Sequence, residues 1–265
     1  MPLLEVDEGK IYFTARGAGI PIVFIHPPVL TSVNFEYQID ELSKDFQVIT
    51  FDIRGHGKSP YSPKPITYEL IVEDIIKILN HLEIKKAFIA GYSTGGSITL
   101  EYMLTYPDRA LGGIVISGMS EVCDPILKNE LSLAIKLASA GSVSLLSWGT
   151  SLTNSNNKKL FDKMFHEAKK GDARNVEQYY WYSKNYNCTS QLKNIHLPVK
   201  LIFGLKNKQF YSYARILRDN LPNYEFNFIK NGRHWLPTKN ANEVNQLIFE
   251  FVKRNSPSNR NILWT

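Results

Sequence analysis

The chain is poor in cysteine, with only Cys123 and Cys188 among 265 residues. Two isolated thiols give no disulfide framework and no metal-ligand spacing, so a reducing compartment, the cytoplasm, is expected. Long apolar runs are missing as well. No stretch reaches the ~20 consecutive apolar residues of a membrane-spanning helix. The segment from Met1 to Lys10 is acidic and lacks the apolar core of a secretory leader. Charge of one sign is never concentrated. The net charge is +6, but Lys and Arg are scattered and no zinc-finger or aromatic RNA-binding pattern accompanies them, which argues against a nucleic-acid partner. Repeats and low-complexity segments are absent too. What remains is ordinary globular composition, 43% hydrophobic and 21% charged, read as a single domain over residues 1–265.

Strand-like and helix-like segments alternate through the first half. Lys10 to Arg16 alternates apolar with polar residues and is followed by the turn Gly17-Ala18-Gly19, as in a hairpin strand. Ile22–Ile25, Phe88–Ala90 and Gly113–Ile116 are short, continuously apolar runs, the mark of strands buried on both faces, and Val48–Phe51 is of the same type with Thr50 as its one polar residue. Ile71, Ile75, Ile78, Leu79 and Leu82 form one helical stripe between them. Later, Val199–Phe203 and Glu225–Ile229 read as two more strands, and Val244, Leu247, Ile248, Phe251 and Val252 as a closing helix. This order implies an α/β fold with a parallel sheet covered on both faces.

Between about residues 121 and 193 no buried strand appears. Helical segments at Glu130–Ala140, Asn156–Lys170 and Arg174–Tyr186 read as a lid over the strand ends. Its ring cluster, Tyr179, Tyr180, Trp181, Tyr182 and Tyr186, either lines a substrate pocket or fastens the lid to the core. The tail beyond Asn255 is polar, with Ile262-Leu263-Trp264 as its one segment suited to docking.

Gly91-Tyr92-Ser93-Thr94-Gly95 directly follows the Phe88–Ala90 strand and leads into a helix at Ile98–Tyr106. A sharp strand-to-helix turn holds its central residue in strained backbone angles, and small residues two positions either side relieve the crowding. Ser93 is therefore the candidate nucleophile, with the Thr94 N–H at the helix start as an oxyanion donor. A dinucleotide site fails because Gly-x-Gly-x-x-Gly is not met, and a phosphate loop fails because no Gly-Lys-Ser/Thr follows.

With that turn in place, the chain resembles the α/β-hydrolase superfamily, esterases and lactonases in particular, over nearly its whole length. Asp52-Ile53-Arg54-Gly55-His56-Gly57-Lys58-Ser59 is similar to the family's loop after the fourth strand, and Gly232-Arg233-His234-Trp235 to its histidine loop after the last. The resemblance implies a mostly parallel eight-stranded sheet flanked by helices, with a helical cap after the sixth strand. It implies His234 as general base, a small-molecule substrate and no cofactor; oligomeric state is left open. His26 ends a strand, His56 lies in the Arg-Gly-His-Gly turn, and His81, His166 and His196 have no motif around them. No histidine pair has a metal-ligand spacing.

The chain departs from the family at two places. His26-Pro27-Pro28-Val29 stands where the family has His-Gly-x, whose third residue donates to the oxyanion; Pro28 has no N–H. Val29 N–H, or a hydroxyl of Thr31 or Ser32, is the expected substitute. Gly204-Leu205-Lys206-Asn207 stands where the family places its acid, and Asn207 is an amide. Some members take the acid from beyond the sixth strand, which makes Glu121 the expected acid and Asp124 its backup. The expected pocket residues are Pro28, Trp181, Tyr182 and Trp235. The expected activity is cleavage of a carboxylic ester or lactone of a small to medium apolar substrate through an acyl-enzyme. The same two departures motivate the rival expectation, a weak or inactive ligand-binding protein on this fold.

Overall fold

The computed structural model describes residues 3–256, so the Ile262-Leu263-Trp264 segment lies outside the described residues. Eight strands form one sheet in the order β1-β2-β4-β3-β5-β6-β7-β8. These are β1 (Leu3–Val6), β2 (Gly9–Arg16), β3 (Pro21–Ile25), β4 (Gln47–Phe51), β5 (Ala87–Tyr92), β6 (Ala110–Ile116), β7 (Val199–Gly204) and β8 (Tyr224–Ile229). The pairs β1–β2 and β2–β4 are antiparallel and the remaining pairs parallel.

The apolar runs are explained by the two faces of this sheet. Val23 and Ile25 of β3, with Ile89 of β5, join one core, while Ile22, Phe24 and Phe88 join the other. Successive strand side chains point to opposite faces, so a strand buried on both must be apolar throughout. Helices α1 (Glu36–Leu42) and α10 (Ala241–Asn255) contribute to the second core. Helices α2 (Tyr68–His81) and α3 (Thr94–Thr105) contribute to the first. The early strand is indeed half of a hairpin, but its partner is β1, which precedes it. Four residues were too short a run to reveal β1.

Four helices succeed one another between β6 and β7: α4 (Pro125–Ser139), α5 (Val143–Asn154), α6 (Lys158–Ala168) and α7 (Ala173–Asn185). The sequence reading found three and missed α5. Helix α8 (Tyr211–Asn220) lies between β7 and β8, and α9 (Leu236–Lys239) follows β8. Among the described residues no helix is long and apolar enough to cross a membrane.

The chain leaves β3 to build β4 on one side, then returns to place β5 on the other. Such a reversal opens a crevice at the carboxyl ends of the two strands, where open α/β sheets bind ligands. Pro27 and Pro28 leave β3 at that edge, and Ser93 leaves β5 there.

Candidate active site

Ser93 joins β5 to α3 with φ 55° and ψ −122°, a conformation costly for any residue with a side chain. Its N–H donates to Ile116 O at 2.9 Å, which ties the turn to β6. Two glycines make the turn feasible. A Cβ on Gly91 would lie 2.0 Å from Gly95 O, and one on Gly95 would lie 2.3 Å from Ile25 O. The backbone crossing is too close for any side chain.

His234 arrives on the loop after β8. Its Nε2 stands 3.1 Å from Ser93 Oγ, so sequence positions 141 residues apart meet within hydrogen-bond distance. The ring lies beside Phe210, at 4.4 Å between centroids, and Tyr92, at 5.3 Å. It keeps an edge on the pocket wall, but this packing removes it from bulk water, and burial pushes its pKa down to about 4.

The partner on the other ring nitrogen is Asn207, whose Nδ2 lies 3.3 Å from His234 Nδ1. Lys206 N–H donates to Gly232 O at 2.8 Å and clips the two loops together. The structure does not bring Glu121 to His234, which corrects the expected acid. Glu121 pairs in an isolated bridge with Asn187 and accepts from its Nδ2 at 2.6 Å, closing the start of the helical insertion onto its end. Asp124 is spent as well. It caps α4 by accepting from Leu127 N–H at 3.0 Å, and it accepts from Gln209 Nε2 and the Tyr213 hydroxyl. Burial pushes its carboxyl up, but these hydrogen bonds outweigh that and hold it below the usual range.

The other histidines near the crevice are structural. His26 donates from Nδ1 to Pro27 O and accepts from Ile53 N–H at Nε2, both at 2.9 Å, an arrangement that suits the neutral ring. Burial lowers its pKa to about 4 and that of His56 to about 3. Beneath them Arg54 forms a two-pronged bond with Asp74, both contacts 2.7 Å, with side chains only 1% and 2% exposed. This pair and Asp52, which accepts from Ser32 and Lys58 N–H, are what the Asp52–Ser59 motif builds.

A cavity of about 290 Å³ opens onto Ser93 and His234. Thr94, Pro28 and Trp235 are on its wall. Val29 is not; it is fully buried, with φ 68°. Thr31 and Ser32 are absent from the wall too, since Thr31 caps the turn at Val33 and Ser32 faces a separate cleft beside β2. Thr94, first residue of α3, carries one of the helix N–H groups that have no intrahelical acceptor. Pro28 occupies the opposite lip without an N–H to offer.

The ring expectation also needs correction. Trp181 is 56% exposed and, with Tyr182, lines a different cleft beside Ile66 and Arg174. Tyr182 donates its hydroxyl to Glu69 instead. The neighbouring Tyr180 lines the Ser93 cavity. One residue along a helix turns the side chain by about 100°, which is enough to change cavities. The sequence reading missed Leu127, Glu130, Leu131 and Ala134 of α4 and Leu146, Thr150, Thr153 and Asn154 of α5. Both sets recur at helical spacing, which was the available signal.

The family model for the alpha/beta hydrolase fold matches residues 20–140, from the start of β3 through the end of α4. A Bacillus subtilis protein named AB hydrolase superfamily protein YisY is 38% identical over 101 residues, covering 38% of this chain and 38% of its own length. A putative non-heme haloperoxidase of Mycobacterium phage D29 is 31% identical over 115 residues, 43% of this chain and 41% of its own. The chain thus spans about two-fifths of the length of these curated relatives. Solved structures match end to end at lower identity. An esterase from Exiguobacterium antarcticum superposes with TM-score 0.84 at 20% identity, over 95% of this chain and 98% of that one.

Proposed function

We propose that this chain, a member of the α/β-hydrolase superfamily, is a serine hydrolase that cleaves a small carboxylic ester or lactone through an acyl-enzyme on Ser93. One observation carries the reading: a serine at a strained strand-to-helix turn, 3.1 Å from an imidazole nitrogen, on the wall of a cavity large enough for a small acyl group.

The reaction divides into two steps. Ser93 Oγ attacks the substrate carbonyl carbon as its proton passes to His234 Nε2. The Thr94 N–H stabilises the negative oxygen of the tetrahedral intermediate. His234 returns the proton to the leaving alkoxide, which departs and leaves the acyl-enzyme. Water then attacks the acyl carbon with the same base, the acid is released, and Ser93 is regenerated.

Asn207 sets the state from which this begins. With Nδ2 facing the ring, Nδ1 accepts and the proton sits on Nε2, where it blocks base catalysis. Turning the amide by 180° presents Oδ1, places the proton on Nδ1 and frees Nε2 to accept from Ser93. An amide supports that tautomer but adds no charge to balance the imidazolium, so turnover is slow. Losing one of two oxyanion donors costs a further ~10²–10³ in rate.

The test is labelling with a fluorophosphonate. Wild type should label at Ser93 alone, and Ser93→Ala should stay folded and unlabelled. Equal labelling of the variant would remove Ser93 from its role. An unlabelled wild type would favour the reading that Pro28 and Asn207 motivate, a ligand-binding protein on this fold.

A further inference from the structure

The Ser93 cavity has an unusual wall for a chain of net charge +6. Among the described residues its lining holds one carboxylate, Glu130, and neither Lys nor Arg. Glu130 lies on α4 in line with Leu127, Leu131 and Ala134, so it interrupts an otherwise apolar stripe facing the cavity. Glu130 is itself exposed, so it adds a negative charge to the cavity wall while staying in contact with solvent. Some acids on the helical insertion have cationic partners, Asp162 with Lys158 and Glu167 with Lys170. No side-chain hydrogen bond or ion pair within the described residues engages the Glu130 carboxylate. Burial, and after it the nearby Asp124 carboxylate, push its carboxyl above the usual range. Three aromatic residues besides His234 share the wall, Tyr92, Tyr180 and Trp235. Lys239 already lies 4.8 Å above the Trp235 ring, which shows that this ring accepts a cation on one face.

We propose that the Ser93 cavity selects substrates bearing a cationic group, a quaternary or protonated amine held by the Glu130 carboxylate and the aromatic faces beside it. The inference rests on the hydrolase reading of the same cavity. A carboxylate-bearing substrate is disfavoured for the same reason, since Glu130 repels it and no Lys or Arg on the wall receives it.

The experiment compares isosteres that differ only in charge. On the acyl side these are p-nitrophenyl esters of 4-(trimethylammonio)butanoate and 5,5-dimethylhexanoate. On the alcohol side they are acetates of 2-(trimethylammonio)ethanol and 3,3-dimethylbutanol. Wild type should favour the cationic member of at least one pair by about tenfold in kcat/KM, as expected for a partly desolvated charge pair aided by a ring face. Glu130→Gln should bring that ratio near unity, and Glu130→Lys should invert it. Where turnover is too slow, tetramethylammonium chloride should protect Ser93 from fluorophosphonate more than sodium chloride does, in wild type and not in Glu130→Gln. A ratio near unity in both pairs, or a preference that survives Glu130→Gln, overturns the cationic class and leaves the hydrolase reading standing. A wild type that neither labels nor turns over any ester overturns both.

Discussion

Replacing Asn207 with aspartate should raise the turnover of the proposed hydrolase. The amide nitrogen is 3.3 Å from His234 Nδ1, so a carboxylate of nearly the same shape would fall within direct contact. At that distance, with an effective dielectric of about 20, a full charge pair gains about 5 kcal/mol, or about 3.7 pK units. Desolvating the new carboxylate takes part of this back, leaving a rise of roughly 1–3 units. The His234 pKa, now held at about 4 by burial, would move to roughly 5–7. The base must be neutral to act. The wild-type profile should therefore be flat above about pH 5, whereas the variant should lose activity as pH falls through its raised pKa. On the plateau the variant should gain ~10²–10⁴ in kcat, because the carboxylate fixes the Nδ1–H tautomer and balances the imidazolium. The assay is kcat for p-nitrophenyl butyrate from pH 4 to 9, with ¹⁵N spectra of the imidazole to read the tautomer. Glu121→Gln serves as the control and should stay within about threefold of wild type. A variant whose acid limb moves upward while kcat stays within threefold of wild type would refute the reasoning, since the amide would then not limit the rate.

Two further outcomes follow from the geometry. Asp74→Ala strands the Arg54 guanidinium in the core and should cost about 3–5 kcal/mol in urea unfolding; a loss under 1 kcal/mol would show that the pair is not a support of the loop after β4. Acyl-chain preference should follow α5 and not the exposed rings. Leu146→Phe should shift the optimum toward shorter acids by about tenfold in relative kcat/KM, while Trp181→Ala should leave the profile unchanged and stability within about 0.5 kcal/mol. The opposite pattern would return the substrate to the Trp181 cleft.

The sequence by itself determined the sheet and the turn that carries Ser93. Strands buried on both faces had to be continuously apolar, and Ile22–Ile25 and Phe88–Ala90 were legible for that reason. The crossing of Gly91 over Gly95 admits no side chain, so the elbow at Ser93 left a local trace that needs no tertiary knowledge. His234 was legible only because its loop carries a family pattern; nothing in its neighbours states that it reaches Ser93. Wherever a role depends on what stands across a gap, tertiary structure decided. Glu121 had the right chemistry and the right strand end, yet its carboxylate closes onto Asn187, which comes from the far end of the insertion. Trp181 and Tyr180 are adjacent and both aromatic, and a turn of one helical position sends them to different cavities. Glu130 is an exposed helix residue, and only the fold shows that its stripe lines the cavity holding Ser93. Local sequence encodes which backbone a segment can adopt. The orientation of a polar side chain depends on partners many residues away, and those are assigned only when the chain closes on itself.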